Sequence, residues 1–147
     1  MSALLLAPAS GALQGPGCPQ FAGQTLCIPL DTSFTEVAFV STNCGRNDDG
    51  SALLSLTQWD FDFYGTPWGE IYVNNNGNVS FGVPFSNFSA SGFPVANFPM
   101  VAPFWADVDT REDSGFDGVV WYREWSTESG DSVNRLVVTW DSVGYFN

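Results

Sequence analysis

Histidine is absent from this chain of 147 residues. That removes any Ser-His-Asp or Cys-His nucleophilic pair, because both need an imidazole to take the proton. Positive charge is scarce as well. Four Lys and Arg stand against 16 Asp and Glu, for a formal net charge of −12. A surface of that sign repels phosphate backbones, so nucleic acid is disfavoured as a partner. The same sign disfavours a bare anionic lipid surface. No segment approaches the roughly 18 apolar residues of a spanning helix, so direct membrane insertion is not expected. Charged residues of both signs reach only 14%, and no stretch sustains a 3.6-residue apolar period.

Cysteine is limited to Cys18, Cys27 and Cys44. None sits in a CxxC pair or beside a histidine, so zinc and thioredoxin-like chemistry have no motif here. A Cys18–Cys27 disulfide would close a short loop and leave Cys44 outside it. The alternative is free buried thiols, since an odd number leaves connectivity open.

Aromatic residues are plentiful: 16% of the chain, with 13 Phe and 6 Trp. Strand formers therefore dominate over the residues that fill surface helices. The length suits one domain that buries roughly two-thirds of its unfolded surface. Residues 1–30 read as an export-signal remnant followed by an irregular Cys/Pro/Gly leader. The short apolar run Ala3–Ala7 has small residues after it and no basic residues before it. Residues 31–147 read as an all-β domain, an antiparallel β-sandwich of short strands with long Phe/Gly/Pro-rich loops.

Alternation supports that assignment. Trp59, Phe61 and Phe63 share one strand face and Asp60 and Asp62 the other. Ile71 and Val73 lie opposite Tyr72. Asn76-Gly77 lies between apolar stretches and predicts a hairpin, since both residues tolerate positive φ. Residues 82–99 form a loop carrying Phe85, Phe88, Phe93 and Phe98, which needs a surface to lie on or offers one to a partner. In Val119–Trp125, Val119, Trp121 and Trp125 face one way and Val120 and Tyr122 the other. Arg135–Asp141 reads as a further strand. The sequence then stops at Asn147, so another strand is expected beside Arg135–Asp141 and the domain reads as incomplete at its C-terminus.

The most informative stretch is Val101–Thr110. Val101, Ala102, Phe104, Trp105 and Ala106 suggest a strand buried on both faces. Its continuation would put Asp107 and Asp109 on one face and Val108 on the other. Two like charges on one face need a cation, a donor or water. Asp48 and Asp49, in the loop Asn47–Ser51, add oxygen ligands but lack the spacing of an EF-hand and its closing glutamate. Two readings are open. Asp48, Asp49, Asp107 and Asp109 hold Ca²⁺, or Asp107 and Asp109 pair with Arg111 or Arg123 as solvated ion pairs. Paired carboxylates beside Trp and Tyr also admit a glycosidase, but the aromatics are better used as core. Asn78-Val79-Ser80 and Asn87-Phe88-Ser89 fit the N-glycosylation acceptor pattern, which matters only in a eukaryotic secretory host.

Five motifs occur in order: Asn47–Ser51, Tyr72–Phe81, Met100–Arg111, Gly118–Glu124 and Leu136–Asn147. Together they resemble the NIDO domain, an extracellular module of nidogen, alpha-tectorin, transmembrane mucin 4 and secreted bacterial proteins. The Asn47–Ser51 start looks more like the bacterial members. The resemblance implies a secreted or cell-surface, non-enzymatic module in cell-matrix adhesion, with an extracellular protein or glycan as partner. It supplies no catalytic residues. A calcium-assisted carbohydrate-binding domain is the alternative function.

Overall fold

Short runs of alternating apolar and polar residues, each cut by a turn, leave this chain little choice but strands. The computed structural model describes residues 3–7, 20–21, 24–25, 30–39, 46–90, 92, 95–111, 118–131 and 133–146. Cys18, Cys27 and Cys44 lie outside the described residues. In chain order the strands are β1 (Ala3–Ala7), β2 (Gln20–Phe21), β3 (Gln24–Thr25), β4 (Thr35–Glu36), β5 (Ser51–Ser55), β6 (Phe61–Phe63) and β7 (Thr66–Trp68). They continue with β8 (Glu70–Asn74), β9 (Asn78–Ser80), β10 (Met100–Val101), β11 (Val108–Asp109), β12 (Val119–Trp125), β13 (Arg135–Asp141) and β14 (Gly144–Tyr145). A single 3-10 turn, Thr127–Ser129, is the one helical element among the described residues.

Two four-stranded sheets dominate, in the orders β1-β13-β12-β4 and β10-β9-β8-β5. Three small ribbons accompany them: β2-β3, β6-β7 and β11-β14. Nearly all pairings are antiparallel. The exception is β1, which runs parallel to β13 with Ala3 opposite Arg135 and Ala7 opposite Thr139. The apolar run read as an export-signal remnant thus takes the position beside Arg135–Asp141 where a further strand is expected. The main core lies between the two large sheets. Val120, Leu136, Val138 and Trp140 come from one, and Ile71, Val73, Val79 and Phe81 from the other. The opposite face of β12 and β13 carries a second cluster, in which Phe34, Trp125 and Val137 are buried and Trp121 packs against them. The period-two reading of Val119–Trp125 holds. Val120 and Tyr122 serve the first cluster, and Trp121 and Trp125 the second.

The hairpin at Asn76-Gly77 forms, but its loop differs from the expected two-residue turn. Asn74 pairs with Asn78, so Asn75, Asn76 and Gly77 make a three-residue loop. Only Gly77 among them has a positive φ, at 77°. A left-handed third residue is what three-residue hairpin loops use. Gly77 is needed for space as well: a Cβ there would lie 2.8 Å from the Phe104 carbonyl oxygen.

That crowding explains where the stretch Val101–Thr110 departs from expectation. It is not one strand. Residues 102–107 leave the sheet between β10 and β11 and cross the asparagine loop. Phe104 N–H donates to the Gly77 carbonyl (3.4 Å) and Ala106 N–H to that of Asn76 (3.2 Å). Pro103 has no N–H to give a ladder. Phe104 and Trp105 are half-buried, not enclosed on both faces.

Two stability outcomes follow. Gly77→Ala combines a left-handed φ with a backbone collision, so it should cost about 1–3 kcal/mol, read as a lowered denaturant midpoint at constant slope. Asn75→Ala strips hydrogen bonds from the Val108 and Asp48 carbonyls. It should cost about 2–4 kcal/mol, whereas Asn87→Ala, at an exposed position, should stay within about 0.5 kcal/mol.

Candidate functional site

Four asparagines line the end of the β8–β9 hairpin, and all four are buried: Asn74, Asn75, Asn76 and Asn78 are at most 1% exposed. Buried amides need partners, and here the partners lie on distant segments. Asn75 Nδ2 donates to the carbonyls of Asp48 and Val108, and its Oδ1 accepts from Thr110 Oγ1 (3.1 Å). Its own carbonyl accepts from Trp140 Nε1 at 3.0 Å. Asn76 Oδ1 accepts from Val108 N–H (2.8 Å), while its Nδ2 reaches Asp49 Oδ1 (2.8 Å) and the Ser86 carbonyl (3.4 Å). Thr110 closes the set: its N–H donates to the Asn47 carbonyl (3.0 Å), and its hydroxyl oxygen accepts from Asn47 N–H (2.9 Å). The loop 46–50 and the segment 107–110 are thereby bolted to one turn and to each other.

This brings three of the four predicted acids together. Single oxygens of Asp48, Asp49 and Asp107 lie within 4.8 Å of one another. Asp48 Oδ1 is buried and has no hydrogen-bond partner among the described residues. Asp109 stands apart. Arg111 Nε donates to its Oδ1 at 2.9 Å and Arg111 Nη2 to its Oδ2 at 2.8 Å. The same Nη2 lies 3.1 Å from Asp48 Oδ2. The pairing with Arg111 therefore holds for Asp109 and extends to Asp48. Arg123 turns elsewhere, to Asp31 at 3.9 Å.

The electrostatics separate these acids. Burial raises the Asp48 carboxyl above its usual value against the pull of Arg111, with Asp109, Asp49 and Asp107 adding repulsion. Burial likewise raises Asp107, helped by Asp49 and Asp109. Burial would raise Asp109 too, but the hydrogen bonds and charge of Arg111 outweigh it, so that carboxyl falls below the usual range. Asp48, Asp49 and Asp107 offer hard oxygens to a cation. Their oxygens converge on one point, which suits a single cation.

Aromatics rim this corner. Phe146 N–H donates to the Asp107 carbonyl (3.2 Å), and the Arg111 guanidinium lies 5.7 Å from the Phe146 ring centre. Tyr145 and Phe146 are exposed. On the other side, loop 82–99 rests on Trp105. Phe85 packs tilted against Phe98 and edge-on to Trp105, with ring centres 4.7 and 5.2 Å apart, and Trp105 Nε1 donates to the Asn87 carbonyl. Phe88 stays exposed, and Phe93 lies outside the described residues. The two glycosylation acceptors part company: Asn87 is exposed, whereas Asn78 is buried with its Nδ2 facing the Asn76 carbonyl. Asp62, from the other carboxylate pair, closes a turn by accepting from Gly65 N–H.

Sequence reasoning treated Asn74–Asn76 as turn formers and missed their role as anchors. Three amides in a row before Gly77 were the available signal. It also passed over Trp68, Glu70 and Tyr72, which line a hollow together. Glu70 and Tyr72, two apart, share one side of β8, and Trp68 ends β7 just before the bend at Gly69.

The nidogen-like domain family matches residues 69–147. Human alpha-tectorin is 42% identical over 84 residues, covering 56% of this chain and 4% of its own length. Chicken alpha-tectorin is 31% identical over 124 residues, 71% of this chain and 6% of its own length. Nidogen of Drosophila melanogaster is 28% identical over 119 residues, 69% of this chain and 9% of its own length. The chain thus spans less than a tenth of the curated relatives it matches. No solved structure matches it. With more than half of its residues matched in one block, this chain belongs to the nidogen-like domain family.

Proposed function

We propose that this chain is a non-enzymatic interaction module of the extracellular matrix or cell surface, and that it contacts a partner protein through the acidic corner at Asp48, Asp49 and Asp107. Family membership supports the setting, since the relatives it matches are nidogen and alpha-tectorins. Among the described residues no helix is long and apolar enough to cross a membrane. The observation that carries the reading is the construction of the corner. Three carboxylates are gathered beside one hydrogen-bonded turn, and exposed Tyr145 and Phe146 flank them on β14 and the residue after it, with Phe146 N–H on the Asp107 carbonyl. Carboxylates flanked by aromatic rings suit a basic protein surface, where the rings supply apolar area and the acids supply orientation.

A second reading has an observation of its own. Asp48 Oδ1 is buried without a partner, and a divalent cation shared with Asp49 and Asp107 would satisfy it. In that case calcium would order the corner, and a glycan would join protein as a candidate partner class.

Three outcomes check these readings. In solid-phase binding to an extracellular-matrix extract, Asp49→Asn with Asp107→Asn should reduce retention about tenfold or more if the corner is a contact centre. Unchanged retention would remove the corner from the interface. For calcium, ion at a hundredfold excess over its Kd should stabilise the fold by about 2.7 kcal/mol, seen as a rise in Tm that Asp107→Asn abolishes. A flat titration removes the metal. The pH dependence has two opposed parts. Asp48 and Asp107 hold protons more tightly folded than unfolded. Their ionisation therefore costs stability as pH rises from the usual carboxylate value through their raised one. Asp109 does the reverse: its stabilisation is present above the usual value and lost as pH falls through its lowered one. In Tm measured against pH, Asp109→Asn should flatten the acid-side loss below about pH 4.

A further inference from the structure

At the far end of β8 from the acidic corner, a half-open hollow of about 230 Å³ is lined by Pro67, Trp68, Gly69, Glu70, Tyr72 and Gly82. We propose that it binds one neutral pyranose unit of an extracellular glycan. The size sets the first limit. Drug-sized sites run to roughly 300–1,000 Å³, so this one takes a single small ring. Charge sets the second. The lining has no Lys or Arg and the chain carries a net charge of −12, so sulfated or otherwise anionic sugars are repelled.

What remains is the chemistry of three side chains. Trp68 and Tyr72 present aromatic surface, on which the C–H face of a pyranose stacks. Glu70 is exposed, and apart from a long contact from Ser55 Oγ (3.4 Å) to Oε1 its carboxylate is open to accept from sugar hydroxyls. The Tyr72 hydroxyl both donates and accepts. The backbone keeps the hollow open. Gly82 has φ 83°, and a Cβ there would come within 3.3 Å of Cη2 and Cζ3 of the Trp68 ring. Any side chain at position 82 would close against the indole.

Trp68 itself carries a cost that its packing does not explain. Its ring lies against Phe81, with centroids 5.6 Å apart, a contact phenylalanine would also make. Its Nε1 is buried with no hydrogen-bond partner among the described residues, which costs about 1–3 kcal/mol that phenylalanine would avoid. The wider face of the indole is what it offers in return. An alkylammonium is the rival occupant, since rings and a carboxylate also attract cations. A half-open hollow lined by two rings and a single carboxylate fits a ring with many hydroxyls better than it cages a compact cation. The inference does not depend on the acidic corner, so chelator separates the two.

The test is saturation-transfer NMR on the full chain. The probes are the methyl glucosides, galactosides and mannosides, N-acetylglucosamine and tetramethylammonium chloride, with and without EDTA. At least one pyranoside should receive saturation, unaffected by EDTA. Its affinity should fall about fivefold or more, a loss on the scale of one good contact, in both Trp68→Phe and Glu70→Gln, with Tm unchanged in Glu70→Gln and not lowered in Trp68→Phe. Glu70→Gln alters an exposed side chain and carries the test if Trp68→Phe folds poorly. The proposal is overturned if no pyranoside receives saturation, if transfer reaches only tetramethylammonium, or if pyranoside binding survives Glu70→Gln.

Discussion

The side chain and carbonyl of Asn75 form the hub on which the segments of the acidic corner meet. Its amide holds the carbonyls of Asp48 and Val108, its Oδ1 holds Thr110, and its carbonyl holds the indole of Trp140, the largest fully buried side chain. Three segments far apart in sequence therefore meet on one residue. A buried amide that is fully satisfied is worth more than an exposed one, because in low dielectric each of its bonds is stronger and each loss leaves an orphan. The same economy makes the hub intolerant: an apolar replacement would strand several acceptors at once. Gly77 supports the hub from behind by letting the Phe104 backbone come close, as no other residue could.

Arg111 decides how the gathered acids behave. One guanidinium satisfies both oxygens of Asp109 and also lies against Asp48 Oδ2. A planar fork matches a carboxylate in a way a point charge would not. Asp109 is neutralised in place and becomes part of the frame. Asp48 is half-satisfied, Asp49 takes a hydrogen bond from Asn76, and half-buried Asp107 keeps the repulsion of its neighbours. Four acids from two remote stretches thus become one structural ion pair and one three-carboxylate cluster. Such a cluster favours any cation that arrives, whether an ion or a basic side chain of a partner.

The legible part of this protein was the part written in alternation. Val120 and Tyr122 on one face, Trp121 and Trp125 on the other, and the apolar Ile71 and Val73 all follow from a period of two, because a strand has no other way to distribute its side chains. The gathering of Asp48 with Asp107 was guessed from residue type alone, since residues 59 positions apart in sequence leave no spacing to read. Pro103 and Gly77 hid the break in Val101–Thr110. Both residues were visible, but their effect depends on which backbone crosses which turn. Glu70 and Tyr72 showed the same periodicity as a core face, and only the neighbouring Trp68 and Gly82 show that the face was left open.

Sequence by itself determined the all-β class, the acidic and imidazole-free chemistry, and the family to which the motifs point, because composition and local period act over a few residues. Tertiary structure decided that four asparagines are buried anchors instead of surface turn formers. It also decided that Asp109 belongs to Arg111, and that Asp48, Asp49 and Asp107 share one spot. These are contacts between remote segments, and a hydrogen bond across 30 or 60 residues is fixed by the packing of the sheets and by no local preference.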